Sequence, residues 1–387
     1  MSDGTALMLV LGVLYLIDCF IWVDRGDVLF VARLCSRWRA AFSSRFISNG
    51  DGGFNLLNPF PPFGKVFLGH FFSCSFSPEA VCAQRRLTPD SATRPVLSSR
   101  VWRYDDIERV EVDGKRVFVD GELLARCGSS ARARWLRDRL DALCGMASQK
   151  REAYLKEVMT SMFDVGAIRK RSDEVLQESD ALQTLVLMFF LTVFVGFPLI
   201  GTTVGLSFVL IPGAVLLVLG GITIGWKTFS IHRRLYPERL GERIGILVKC
   251  VLCPPSAMRA RDFLTRFALH GYHPVAVLSV FGDAEREGLA SRLIRDGAHP
   301  LPYEEGLPEV DRIVSWWWAL EQAAIQNVVE SWDPPLQTDA VLLAPDWDGE
   351  SSHYCPRCQC QLSPIAKTCP DCSGVTVLPH PGCVAGS

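Results

Sequence analysis

Six cysteines of this chain fall in pairs with two residues between them: Cys250/Cys253, Cys355/Cys358 and Cys369/Cys372. A Cys-x-x-Cys turn brings two sulfurs to one side of a tight bend, where they ligate a soft metal or cycle through a disulfide. The last two pairs stand ten residues apart, in HYCPRC and TCPDCSG. Two such turns facing each other supply four soft ligands in tetrahedral geometry, which suits Zn²⁺. Four thiolates leave no position open for water, so the ion they hold is structural. Paired disulfides are the competing reading, and iron in the same cage is a smaller one. Paired spacing among the 14 cysteines points to a reducing compartment, and so short a segment has little core of its own, which together favour zinc.

Both knuckles have the Cys-Pro-x-Cys form, and over about thirty residues the segment resembles a zinc ribbon. The resemblance implies structural zinc on Cys355, Cys358, Cys369 and Cys372. Two departures stand in the first knuckle: Gln359 where glycine is common, and Cys360 as a competing ligand. The third pair, Cys250/Cys253, runs into Pro254-Pro255 and is a second candidate for a metal site or a redox pair. His270 and His273 could complete its ligand set. Core or capping roles suit these histidines better, because Pro274 breaks the helix beside them.

The elements that position these groups begin with 182–226, which has no charged residue. It divides near 201–205 into two apolar blocks of about twenty residues each, enough for an α-helix to cross a hydrocarbon core of roughly 30 Å. We expect a transmembrane helical hairpin. A third apolar block, 6–23, carries Asp18, has no Lys or Arg before it and no small-residue cleavage site after it, and reads as a retained anchor. Asp18 lies near the block's end, where a carboxylate can reach water or Arg25. Basic residues follow the first block and flank the hairpin, while the amino terminus and the hairpin turn have none. The positive-inside rule then places the amino terminus outside and the soluble regions in the cytoplasm, as in an integral protein of a bacterial inner membrane. Within the hairpin, Gly221 and Gly225 form a small-xxx-small pair that lets helices approach closely. Apart from Gln183 at its edge, polar residues there are limited to Ser and Thr, so packing is a better reason for the glycines than a transport path.

Between the first block and the hairpin, 24–64 is a basic amphipathic segment with a Gly/Asn/Pro-rich linker at 49–64. Arg33, Arg37 and Arg39 are its candidate contacts to lipid phosphates. From 65 to 145 the pattern turns to short strands: 66–71, 75–83, and then a run with period two broken at Asp113-Gly114 and Asp120-Gly121, both hairpin signals. An amphipathic helix follows, with Trp135, Leu136, Leu140 and Leu143 toward a core. Antiparallel hairpins closed by one helix, together with Tyr104-Asp105-Asp106-Ile107, resemble a bacterial pleckstrin-homology-like domain. That resemblance implies binding or scaffolding beside a membrane, with no active site. A charged helical connector (146–181) leads into the hairpin, with Ser179-Asp180 as a cap for its first span. An α-helical region with Trp316-Trp317-Trp318 fills 227–346, and the ribbon with its tail occupies 347–387.

The fold class expected is thus a multidomain α+β membrane protein with three spans, a β-rich pleckstrin-homology-like domain, a helical domain and a zinc ribbon. Net charge of −2 gives no overall pull toward nucleic acid, and acidic residues around the ribbon argue against that partner. No Gly-x-Gly-x-x-Gly, His-Glu-x-x-His or Gly-x-Ser-x-Gly is present. The functional expectation is a non-enzymatic scaffold whose partners are membrane lipid and a protein not identified by sequence. The alternative is a membrane enzyme or transport-accessory subunit with its active residues in 227–346.

Overall fold

The computed structural model describes residues 5–6, 9–10, 13, 27–28, 54–56, 65–68, 72–86, 96–127, 130–237, 240–252, 257, 260, 264, 268, 272–281, 285–299, 308–363, 367–370, 372 and 375–384. Asp18, Arg33, Arg37, Arg39, Cys253 and His270 lie outside them. The chain is mixed α/β and divides into two compact units. The first contains 1–40, 54–67 and 169–270, and the second contains 41–53, 68–168 and 271–387.

In the first unit, positions 5, 6, 9, 10 and 13 are helical, with Leu9, Val10 and Val13 exposed. Strands β1 (Asp27–Val28), β2 (Phe54–Leu56) and β3 (Lys65–Leu68) form a small sheet in the order β1-β3-β2. A strand therefore stands inside the stretch expected to be linker, in antiparallel register with its neighbour.

The second unit holds two further antiparallel sheets. One is β4 (Phe72–Phe76), β5 (Ala80–Arg86) and β6 (Val96–Arg103); the other is β7 (Val110–Asp113), β8 (Arg116–Val119) and β9 (Glu122–Arg126). The strand expected over 75–83 is the end of β4 and the start of β5, with a turn at 77–79 between them. The Ser77 hydroxyl accepts from the amides of Glu79 and Ala80, and the Ser77 amide donates to the Ala80 carbonyl, so the serine closes the bend at Pro78. The expected hairpins form at both Asp-Gly pairs. Asp120 and Gly121 have φ of 51° and 79°, the paired left-handed residues of a two-residue loop that matches strand twist.

Helix α1 (Ser130–Cys144) closes the second sheet, burying Ala133, Leu136, Leu140 and Leu143. Trp135 is half-buried, with the Arg139 guanidinium 4.2 Å from its ring centroid. Helix α2 (Ser148–Met162) follows, and its buried Arg151 ties it to the β6–β7 turn. That guanidinium lies 5.1 Å from the Tyr104 ring, donates to the Leu143 carbonyl at 2.9 Å and reaches Asp105 at 2.5 Å.

Helix α3 (Val165–Phe190) starts where the Asp164 carboxylate accepts from the Ala167 amide. It runs through Ser179-Asp180 without a break. The expected cap there does not exist: Ser179 is fully buried mid-helix and its hydroxyl donates back to the Leu176 carbonyl. A π-helical turn (Leu191–Gly196), α4 (Phe197–Val204) and α5 (Leu206–Leu235) continue the chain, with the reversal at Gly205, φ 98°. Positions Leu182, Val186, Phe189, Val193, Phe197 and Gly201 are buried. Their final steps are all of four residues, which in an α-helix would carry the stripe about 40° further round each time. The wider π turn, where the Phe197 amide bonds the Thr192 carbonyl, takes up the extra residue and keeps one face on the partner helix. Phe197 and Phe189 pack on Gly213 and Gly220 of α5.

Two helical segments, Thr184–Val204 and Ile211–Leu235, are long and apolar enough to cross a membrane. Less than a third of either is buried, and Met188, Leu199, Phe208, Ile211 and Trp226 are more than half exposed. Helix α6 (Leu240–Leu252) packs on α5.

After 271 the chain returns to the second unit through α7 (Pro274–Phe281), α8 (Glu285–Ala298) and α9 (Pro308–Glu330). Helix α9 covers the β4-β5-β6 sheet. Val310, Ile313 and Val314 form one core cluster with Ala80 and Cys82, and Val101 and Trp318 pack against it. Burial there pushes the Cys82 thiol up to about 12. Trp317 is buried 5.1 Å from the Phe76 ring, so the triple tryptophan serves the joint between helix and sheet. The β-rich segment and the helices after the hairpin thus share a core.

Candidate metal centre

The carboxy-terminal segment builds a small sheet from β10 (His353–Tyr354), β11 (Gln361–Leu362) and β12 (Leu378–Pro379), ordered β11-β10-β12. The first cysteine knuckle is the turn between β10 and β11. Its backbone closes through the Gln359 amide to the Cys355 carbonyl at 2.8 Å and the Cys355 amide to the Cys360 carbonyl at 2.9 Å. Gln359 has φ 59°, the left-handed conformation for which glycine is favoured, and its side chain donates to the Leu343 carbonyl. The second knuckle closes through the Cys369 amide to the Val375 carbonyl and the Val375 amide to the Cys372 carbonyl, both 2.9 Å. The Cys372 amide also points at the Cys369 sulfur, 3.3 Å away.

The sulfurs of Cys355, Cys358, Cys369 and Cys372 all lie within 4.8 Å of one another, and Cys358 and Cys369 approach to 3.6 Å. Four Zn–S bonds of about 2.3 Å in a tetrahedron put sulfurs about 3.8 Å apart, so the set fits an ion of that size with small adjustment. Three of the four cysteines are buried and Cys358 is exposed. Cys355 receives hydrogen bonds from Cys358 and Cys372, which hold its thiol low, and the same contacts push Cys358 and Cys372 up. The cluster thus concentrates one negative charge and resists more, and a divalent cation supplies the compensation that full deprotonation needs. Around the sulfurs the core consists of Val375, Val377 and Leu362. With so few apolar side chains, an ion bound by the four sulfurs would be the centre of this segment's fold. Cys360 lies outside the cluster, its sulfur turned to the Gln361 carbonyl.

The cysteine segment is fastened to α8 by the residue inside its first knuckle. Arg357 is 2 % exposed; its Nε lies 3.0 Å from the Asp296 carboxylate, and Nη1 donates to the carbonyls of Asp296 at 3.2 Å and His299 at 2.7 Å. The guanidinium therefore caps the carboxyl end of α8, where unpaired carbonyls attract a cation. Arg295 answers by donating to the Arg357 carbonyl at 3.3 Å. Sequence reasoning missed this contact, since an arginine between two ligands reads as solvent-facing. His380 was missed too: it is buried, hydrogen-bonds the Pro345 carbonyl at 2.9 Å and fixes the strand that completes the sheet.

The other candidates are placed as follows. Cys250 is buried in α6; its expected partner Cys253 falls outside the described residues. His273 is the amino-terminal cap of α7: its Nδ1 accepts from the Val275 amide, its ring stacks on Phe163 at 4.3 Å, and Nε2 lies 3.1 Å from the buried Glu321 carboxylate. Nδ1 as acceptor leaves Nε2–H to donate to Glu321. Among the described residues, the four-cysteine group is the one cluster of three or more His, Cys, Asp or Glu arranged to hold a metal. No family model matches the chain, and neither a curated protein nor a solved structure does.

Proposed function

We propose that the chain is a membrane-anchored, non-enzymatic scaffold that holds a composite soluble unit at the cytoplasmic face, with structural zinc in its ribbon. The observation that carries this reading is the continuity of the second unit. Residues 68–168 precede the apolar hairpin and 271–387 follow it, yet they share one core in which Val310, Ile313 and Val314 pack on Ala80 and Cys82. A core shared across an apolar insertion requires both ends of the insertion on one side, which an even number of crossings provides. The exposed apolar faces of the two long helices supply those crossings. The two antiparallel sheets with α1 support a pleckstrin-homology-like reading of 65–145, now with α9 as an added cover. Buried ionisable groups of the unit are engaged with each other, Arg357 in an ion pair with Asp296 and His273 in a hydrogen bond with Glu321, which favours an interaction role over chemistry. The partners proposed are anionic lipid, through Arg33, Arg37 and Arg39, and a cytoplasmic protein.

The test uses the full chain in detergent and in vesicles. Partner capture and binding to anionic vesicles are compared for the wild type and for Cys369→Ser/Cys372→Ser. Lost capture with the hairpin still inserted supports the scaffold. Unchanged capture, together with a catalytic activity that depends on His273, refutes it.

A further inference from the structure

Helix α6 touches α5 at two glycines. A Cβ placed on Gly221 would stand 2.5 Å from the Cys250 carbonyl oxygen; one on Gly225 would stand 3.0 Å from Leu247 Cδ1 and 3.1 Å from Cys250 Cβ. The first of these is a collision with backbone, so the close approach depends on glycine. At the other end of α6, the buried Arg243 donates to the carbonyls of Tyr236 and Pro237 and sets its guanidinium 5.8 Å from the Phe229 ring. These two anchor points fix direction: α6 runs back along α5, from Tyr236 toward Gly221.

Among the described side chains of α6, the large exposed ones are apolar. Ile244 and Val248, one turn apart, are 49 % and 46 % exposed. On α5, beside the contact glycines, Leu219, Ile222 and Trp226 are exposed as well. Trp226 and Lys227 end the uncharged stretch and mark where a span through α5 meets water. Gly221 lies five residues inward of Trp226, about 7.5 Å along an α-helix. That depth matches the roughly 5–10 Å to which amphipathic helices bury their apolar faces at the boundary of headgroups and acyl chains.

We propose that Leu240–Leu252 is a membrane-contacting helix that enters the lipid boundary alongside α5, with Ile244 and Val248 against acyl chains and Cys250 at its deep end. The proposal rests on the reading of α5 as a span. Lipid is the occupant because Ile244 and Val248 are exposed on a helix packed against α5, whose own Leu219, Ile222 and Trp226 are exposed.

The test places an environment-sensitive fluorescent amino acid, by amber suppression, at Phe208, Ile244, Val248 or Glu330 of the full chain. Each variant is reconstituted in phosphatidylcholine/phosphatidylglycerol vesicles with or without acyl-brominated lipid. All four positions are on element surfaces, so folding is preserved. The expected result is loss of emission at Val248 and Ile244 comparable to that at Phe208, with Glu330 unaffected. Emission at Ile244 and Val248 as insensitive as at Glu330, while Phe208 is quenched, overturns the proposal and leaves the span intact. Insensitivity at Phe208 as well refutes the span, and the proposal falls with it.

Discussion

Arg357, between the two cysteines of the first knuckle, and Asp296, in the last turn of α8, form an ion pair of 3.0 Å with both side chains at least 97 % buried. The pair makes the carboxy-terminal cysteine segment part of the second unit's interior packing. A metal that orders the knuckle thereby also orders the carbonyl cap of a helix some sixty residues earlier in the chain.

Breaking that pair from one side leaves a buried carboxylate without its cation. Arg357→Met is expected to destabilise the second unit by about 3–5 kcal/mol, whereas Arg357→Met with Asp296→Leu recovers much of the loss. Denaturant unfolding followed by tryptophan emission reads both.

The metal centre predicts one zinc per chain after purification under reducing conditions, and less than that in Cys369→Ser. If thiolates bind the ion as proposed, acidification sets protons against zinc and releases it as pH falls. Metal analysis at stepped pH, with thermal unfolding alongside, should show metal and stability lost together.

Asp105 gives a separate acid dependence. The Arg151 guanidinium beside it holds its carboxyl below the usual range. A folded pKa below the unfolded value of about 3.9 contributes stability that is present above that value and lost as pH falls through the folded one. Asp105→Asn should therefore lower stability at neutral pH, by a small amount because the carboxylate is solvent-exposed, and the difference from wild type should vanish as pH falls below about 4, which flattens the acid limb of the stability curve.

Helix contacts in the first unit predict a graded set. A Cβ on Gly220 would stand 2.5 Å from the Phe189 ring, while nothing lies within 4 Å of one on Gly245. Gly220→Leu should cost about 1–3 kcal/mol by overpacking, and Gly245→Ala should gain up to about 1 kcal/mol from helix propensity. Thermal unfolding in detergent distinguishes them.

Gln359 tests the knuckle backbone. Its φ of 59° is poorly tolerated by β-branched side chains. Gln359→Val should lower stability by about 1–3 kcal/mol, and Gln359→Gly should be neutral or better.

Much of the local pattern was legible before any coordinates. Charge-free length marked the hairpin, Asp-Gly pairs marked the β7–β8 and β8–β9 turns, and Cys-x-x-Cys spacing marked the four ligands, because each of these signals is set by residues close in sequence. The long-range pairings were not. Nothing local says that Val310 packs on Cys82, that Arg357 caps α8, or that Glu321 meets His273. Each partner is ordinary for its own element, and only the fold makes it specific. The break expected at Ser179-Asp180 was read from residues that often cap helices. Here Asp164 starts the helix instead, and tertiary burial of Ser179 overrides its capping preference.

The central claim is that one soluble unit is built from segments on both sides of a membrane-crossing hairpin. Short epitope tags inserted at the β7–β8 loop beside Gly114, at the hairpin turn beside Thr203 and after Ser331 test it in intact and inverted membrane vesicles. The account predicts that antibody reaches the Gly114 and Ser331 tags from the same, cytoplasmic side and the Thr203 tag only from the opposite side. Gly114 and Ser331 tags on opposite sides, or all three on one side, would contradict it.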